Sequence, residues 1–147
     1  MSSYVPAAPR RLVEARANGL CEYCLIHQAD TFFGCQVEHV LAEKHGGATT
    51  AENLAYACVL CNRFKGSDIA SLSKWTGQLT RFFDPRTDVR SAHFKLDGQR
   101  IVPLSDVGEV TARILDFNAA ERVLEREALA QVGRYPTPEA LSRMFRR

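Results

Sequence analysis

The chain has 147 residues, 46% hydrophobic and 24% charged, with a net charge of +2; these ordinary globular proportions exclude a collagenous, low-complexity or wholly disordered chain. Its longest uncharged run beyond the first nine residues, Asn53 to Asn62, is ten residues, about half of what a membrane-spanning helix needs. The first ten residues hold two prolines and no apolar run, so a cytoplasmic protein without a signal peptide is expected.

The first predicted element is a helical segment around Arg10 to Asn18. It leads into Cys21-Glu22-Tyr23-Cys24, the first of two CxxC pairs; the second is Cys58-Val59-Leu60-Cys61. A CxxC turn can aim two thiolates at one point, and two such turns complete a tetrahedron around Zn²⁺. Without a secretion signal, disulfides explain the pairs less well. A lone CxxC would serve a redox site equally, but two pairs in one short chain point to structural zinc on Cys21, Cys24, Cys58 and Cys61. Cys35 is left over and reads as a buried free thiol.

Thirty-three residues separate the pairs. Phe32 to Leu41 is rich in aromatic and branched residues and predicts a strand. Ala42 to Thr50, with Gly46-Gly47, predicts a polar loop. Asn53 to Cys58 is apolar and suits a second strand, and Asn62-Arg63-Phe64-Lys65 opens a helix. Farther on, Asp97-Gly98 predicts a two-residue hairpin turn between strands at Ala92–Leu96 and Gln99–Leu104. Val110 to Leu115 is a further helical piece. Asn118 with Glu121 forms a capping-box pattern ahead of a helix over Arg122–Leu129. Thr137-Pro138 starts a short last helix, ending in Phe145-Arg146-Arg147, whose arginine pair reads as a solvated tail. A strand–strand–helix unit of this size buries little apolar surface by itself. The zinc site and the C-terminal region are therefore expected to supply stability to one α+β domain over 1–147, with a core at about 19–70 and a C-terminal elaboration at about 71–147.

Glu38-His39, Gly46-Gly47, Asn53-Leu54, Cys58-x-x-Cys61 and Asn62-x-x-Lys65 together resemble the HNH endonuclease motif, with its ββα-metal core and accessory four-cysteine zinc site. His39, Asn53 and Asn62 stand at the signature positions, an H-N-N variant, and Glu38 stands where aspartate is more usual. The resemblance to stand-alone bacterial HNH proteins continues through Phe83-Asp84-Pro85-Arg86, His93-Phe94, Asp97-Gly98 and Ile101-Val102, covering roughly residues 10 to 130. It implies a nuclease that cuts DNA to leave 5′-phosphate and 3′-hydroxyl ends, with RNA left open as a substrate. It also implies one catalytic Mg²⁺ or Mn²⁺ at Glu38 and Asn62, and an Asn53 that pins the loop so that His39 keeps its orientation.

The residue types suit that chemistry. Phosphodiester hydrolysis needs an activated water and stabilisation of charge on the leaving oxygen. His39 suits a general base because an ordinary imidazole titrates near neutrality. Glu38 and Asn62 offer the hard oxygen donors that Mg²⁺ or Mn²⁺ prefers. Lys65, three residues after Asn62 on the same helix face, is a candidate phosphate contact, and Arg63 a weaker one. Adjacent strand residues point to opposite faces, so Glu38 and His39 converge only if the strand ends or bends there. His27 and His45 read as surface residues, and His93 has no assigned role. The charge is spread evenly, with six basic and six acidic residues in 1–66 and thirteen and eleven in 67–147. Nucleic acid would therefore be held by a local patch. The competing reading is a non-catalytic zinc-ribbon nucleic-acid-binding module, which the cysteines satisfy but which leaves Glu38, His39 and Asn62 unexplained.

Overall fold

The computed structural model describes residues 4–146. It contains five α-helices and three separate two-stranded antiparallel sheets among those residues, an α+β architecture. Helix α1 (Ala7–Ala17) ends at Asn18 in the left-handed conformation, φ 55°. Strands β1 (Cys35–His39) and β2 (Leu54–Cys58) pair from Cys35 opposite Cys58 to His39 opposite Leu54, and β2 runs directly into α2 (Val59–Lys65). This is the expected strand–strand–helix order.

β2 is buried along its whole length and divides two apolar layers. Leu54 and Tyr56 pack with Val13 and Ala17 of α1, while Ala55 and Ala57 join the larger core around the cysteines. The period-2 alternation of the strand makes this division. β1 is only half-buried.

Two boundaries differ from expectation for local reasons. Phe32 and Phe33 are 94% and 70% exposed and precede the strand, because Gly34 adopts φ 69° and interrupts the extended run. Helix α2 begins at Val59, not Asn62, because the second CxxC is itself the first helical turn. There the Cys58 sulfur caps the helix by accepting from the Cys61 amide.

The C-terminal half adds β3 (Ala70–Leu72), β4 (Leu79–Arg81), β5 (Phe94–Asp97), β6 (Arg100–Pro103), α3 (Asp106–Ile114), α4 (Ala120–Gln131) and α5 (Pro138–Phe145). In the β5–β6 hairpin Asp97 pairs with Arg100, so the two-residue loop is Gly98-Gln99, one residue later than expected. Gly98, at φ 59°, occupies the first loop position, where a type II′ turn requires glycine. Asn118 does not cap α4; Ala119 holds the N-cap position and makes no side-chain cap. The Asn118 amide instead bonds both the N–H and the carbonyl of Ile101, at 2.9 and 2.8 Å. A buried backbone pair offered it two bonds in place of one. Thr137 caps α5, accepting from the Ala140 amide at 3.1 Å.

These elements close over the first CxxC turn. The Tyr135 hydroxyl donates to the Cys24 carbonyl at 2.8 Å, and the buried Arg90 donates to the Tyr23 carbonyl at 2.7 Å. Arg86 and Arg143 both pair with the buried carboxylate of Glu22. No helix among the described residues is long and apolar enough to cross a membrane.

Candidate metal centre and active site

The sulfurs of Cys21, Cys24, Cys58 and Cys61 lie within 4.8 Å of one another, and all four residues are buried. Zn–S bonds of about 2.3 Å in a regular tetrahedron set sulfurs about 3.8 Å apart, and Cys24 and Cys58 sulfurs are 3.8 Å apart. The amides of Cys24 and Cys61 point at the sulfurs of Cys21 and Cys58, each at 3.5 Å. The donor set, its burial and its spacing fit a four-thiolate zinc site. Arg122 of α4 adds a partner that spacing could not reveal. Its guanidinium lies 3.2 Å from the Cys61 sulfur and 3.9 Å from that of Cys58. Burial opposes the Arg122 charge, yet the sulfurs outweigh it and raise its pKa above the ordinary value. Cys35 lies outside the group; it is half-buried, and burial pushes its thiol pKa up.

The second constellation lies at the far end of the β1–β2 pair. Glu38 and His39 are the last two residues of β1, in register opposite Ala55 and Leu54, so they keep the strand's alternation and their side chains face different elements. Glu38 faces α2, where the Asn62 amide donates to its carboxylate at 3.1 Å. Half-burial raises the Glu38 pKa, and the Asn62 bond works against that rise. His39 faces the loop instead. Its Nε2 lies 2.9 Å from the Thr49 hydroxyl and 3.3 Å from the Glu43 carboxylate, and Thr49 donates to Glu43 at 3.2 Å. Its Nδ1 has no partner among the described residues. Glu43 and Thr49 were not singled out from sequence; their only signal was a carboxylate and a hydroxyl in the loop that returns to His39.

Asn53 ties that loop down. Its side chain accepts from the Leu41 amide at 2.9 Å and donates to the carbonyls of Leu41 and Ala48 at 2.9 and 2.8 Å. Gly47 is required by the same closure. A Cβ there would lie 1.7 Å from the Leu41 carbonyl oxygen and 2.8 Å from the Asn53 amide nitrogen.

Lys65 takes a different place from the expected phosphate contact. It is 5% exposed, and its ammonium donates to the Val40 carbonyl at 2.8 Å and approaches that of His39 at 3.5 Å. Burial lowers its pKa. The strand end leaves two carbonyls without ladder partners, and Lys65 satisfies them. Arg63 is exposed and lines a cavity of about 260 Å³ with Val59, Phe32 and Phe33, on another face of α2 from Asn62. A groove of about 460 Å³ opens beside Val40, Leu41 and Lys65. The remaining histidines sit elsewhere. His45 is exposed, His27 is half-buried and caps a short turn by accepting from the Ala29 amide, and His93 bonds Ser105, the N-cap of α3, at 2.6 Å.

Residues 21–68 match the family model described as HNH endonuclease. No curated protein and no solved structure matches the chain significantly. The matched segment begins at the first cysteine and takes in β1, the pinned loop, β2 and α2.

Proposed function

We propose that this chain, whose residues 21–68 form an HNH endonuclease domain, is a metal-dependent endonuclease that hydrolyses phosphodiester bonds in DNA. The observation that carries the reading is the 3.1 Å contact between Glu38 and Asn62. It brings two oxygen-bearing side chains from different elements together beside a histidine whose loop is pinned. A half-turn of the Asn62 amide exchanges its nitrogen for its oxygen, and the pair then matches the donor preference of Mg²⁺ or Mn²⁺. Glu38 and Asn62 would hold that ion, which when bound supplies Lewis-acid stabilisation of the leaving oxygen.

His39 is the general base. Thr49 and Glu43 occupy its Nε2, which leaves Nδ1 to take the proton from the attacking water. A base oriented by a third group is the recurring arrangement at activated nucleophiles. Asn53 keeps the 41–48 loop closed, so the groups that orient His39 stay in place. Lys65 holds the strand end on which both Glu38 and His39 stand, and Arg63 is exposed for a phosphate contact. The four cysteines hold structural Zn²⁺, and residues 1–147 act as one unit, since α4 supplies Arg122 and the segment between α4 and α5 supplies Tyr135 to the cysteine turns.

The test is cleavage of supercoiled plasmid by zinc-loaded protein, with Mg²⁺ or Mn²⁺ added or withheld and His39→Ala in parallel. Metal-dependent nicking that His39→Ala abolishes while keeping its zinc is the expected result. Folded, zinc-loaded protein that binds DNA and cuts none under broad conditions would sink the proposal in favour of a binding module.

A further inference from the structure

Arg90 is a buried positive charge with no carboxylate partner among the described residues. It is 8% exposed, and one N–H donates to the Tyr23 carbonyl at 2.7 Å. Its guanidinium carbon lies 5.0 Å from the Phe94 ring centre and 5.9 Å from that of Phe83. Its other N–H groups have no acceptor among the described residues. Burial lowers its pKa; Tyr135 and the cysteine sulfurs favour its charge from a distance but accept none of its hydrogens.

Arg90 lines a cavity of about 130 Å³ together with Arg143, Arg146, Glu22 and Asp88. Both carboxylates are already committed. Glu22 is held by Arg86, Arg143 and the Tyr56 amide. Asp88 is held by Arg81 and the Asp84 amide. Behind the wall, Nε of Arg16 and Nε of Arg86 are buried without a partner. Burial, then repulsion from Arg16 and Arg143, pushes the Arg86 pKa down to about 10. A half-buried cluster with more guanidinium than carboxylate is short of a counter-ion. The cavity has the volume of about four waters, room for one tetrahedral oxyanion.

We propose that this cavity, between α5 and the 85–90 segment, is a phosphate-class oxyanion site formed by Arg90 and Arg146, with Arg143, already bonded to Glu22, the Arg16 carbonyl and Asn18, adding only its charge to the wall. Guanidinium forks match tetrahedral oxyanions through paired N–H donors. The oxyanion is either a backbone phosphate of nucleic acid, which rests on the nuclease reading, or a free inorganic ion.

The experiment titrates inorganic phosphate into the zinc-loaded full chain, with chloride at equal ionic strength as control, following heat and melting temperature. Saturable binding with a raised melting temperature is expected, weakened about tenfold or more in Arg90→Gln and in Arg146→Gln. Arg146 is exposed, so its variant decides the matter alone if Arg90→Gln fails to hold zinc. A second arm measures binding to duplex DNA against salt, without added Mg²⁺ or Mn²⁺. If the site holds a backbone phosphate, Arg146→Gln lowers the slope of log affinity against log salt by about one, and phosphate competes. If it holds a free ion, phosphate binding falls in the variant while the DNA slope is unchanged. Absence of saturable phosphate binding by the wild type, with an unchanged slope in the variant, overturns the site. Neither arm reads cleavage, so a chain that cuts nothing but binds phosphate here would refute the nuclease reading and leave this site standing.

Discussion

Cys21, Cys24, Cys58 and Cys61 are at most 4% exposed and are braced from the far end of the chain by Arg122 and Tyr135. Glu38 is half-buried and the His39 side chain is 6% exposed, and apart from Asn62 and Lys65 they are held by a loop that lies within 14 residues of His39. The cysteines are buried and braced by distant elements, with Cys24 and Cys58 lining one cavity of about 260 Å³; the hairpin tip is held by its own loop and by two residues of α2. Rigidity is therefore concentrated where the chain is knotted together. The hairpin tip is joined to that region through β2, which is flanked by both apolar layers.

The sharpest way to break this contrast is to remove the zinc. Chelation, or Cys61→Ser, is expected to unfold the chain, because structural zinc contributes on the order of 10 kcal/mol in small zinc domains. Circular dichroism with metal analysis reads this, and retained helix content after zinc loss would contradict it. His39→Ala should do the reverse. Cleavage is expected to fall by about 10²–10⁴-fold with zinc content and melting temperature unchanged; a large loss of stability would mean that the histidine is a structural part of the hairpin.

Gly47→Ala tests whether the loop is what keeps the tip in order. The new Cβ meets the Leu41 carbonyl, so the loop must shift at a cost of about 1–3 kcal/mol. Activity should fall more than stability, and amide exchange at residues 41–48 should quicken. Arg122→Met probes the bracing of the knot. It leaves the Leu115 carbonyl without its 2.7 Å partner and the Cys61 sulfur without a cation, so a loss of about 1–3 kcal/mol in denaturant unfolding is expected.

The smallest expected effect lies outside both regions. Burial acts against the charge of Asp88, but the Arg81 pair and the Asp84 amide outweigh it, and its pKa is lowered on folding. Its contribution is therefore complete above the unfolded value of about 3.9 and is lost as pH falls through the lower folded value. Asp88→Asn should remove that part of the acid destabilisation, about 1 kcal/mol or less, which parallel acid titrations of the two proteins would detect.

Much of the site was legible in the sequence because its signals are local and paired. The CxxC spacing belongs to one helical or knuckle turn, so the four cysteines could be grouped before any tertiary contact was known. Asn53 by itself reads as a turn or capping residue, and only the family resemblance implies that it pins the loop. Lys65 could not be placed, because its neighbours on the helix say nothing of the strand end that crosses it. The Asn118 pattern misled for the same reason. A capping box is a local competitor, and the buried Ile101 backbone offered that side chain two bonds instead of one.

Residue order alone settled the strand–strand–helix succession and the grouping of the four cysteines. Those properties depend on separations of a few residues, which backbone geometry converts directly into proximity. The fold decided which nitrogen of His39 is held and by what, why Lys65 is buried, and how Arg122, Arg143 and Arg90 reach the cysteine-bearing turns from 61 to 121 residues away. Such contacts form only when several elements pack at once, which no separation of a few residues along the chain encodes.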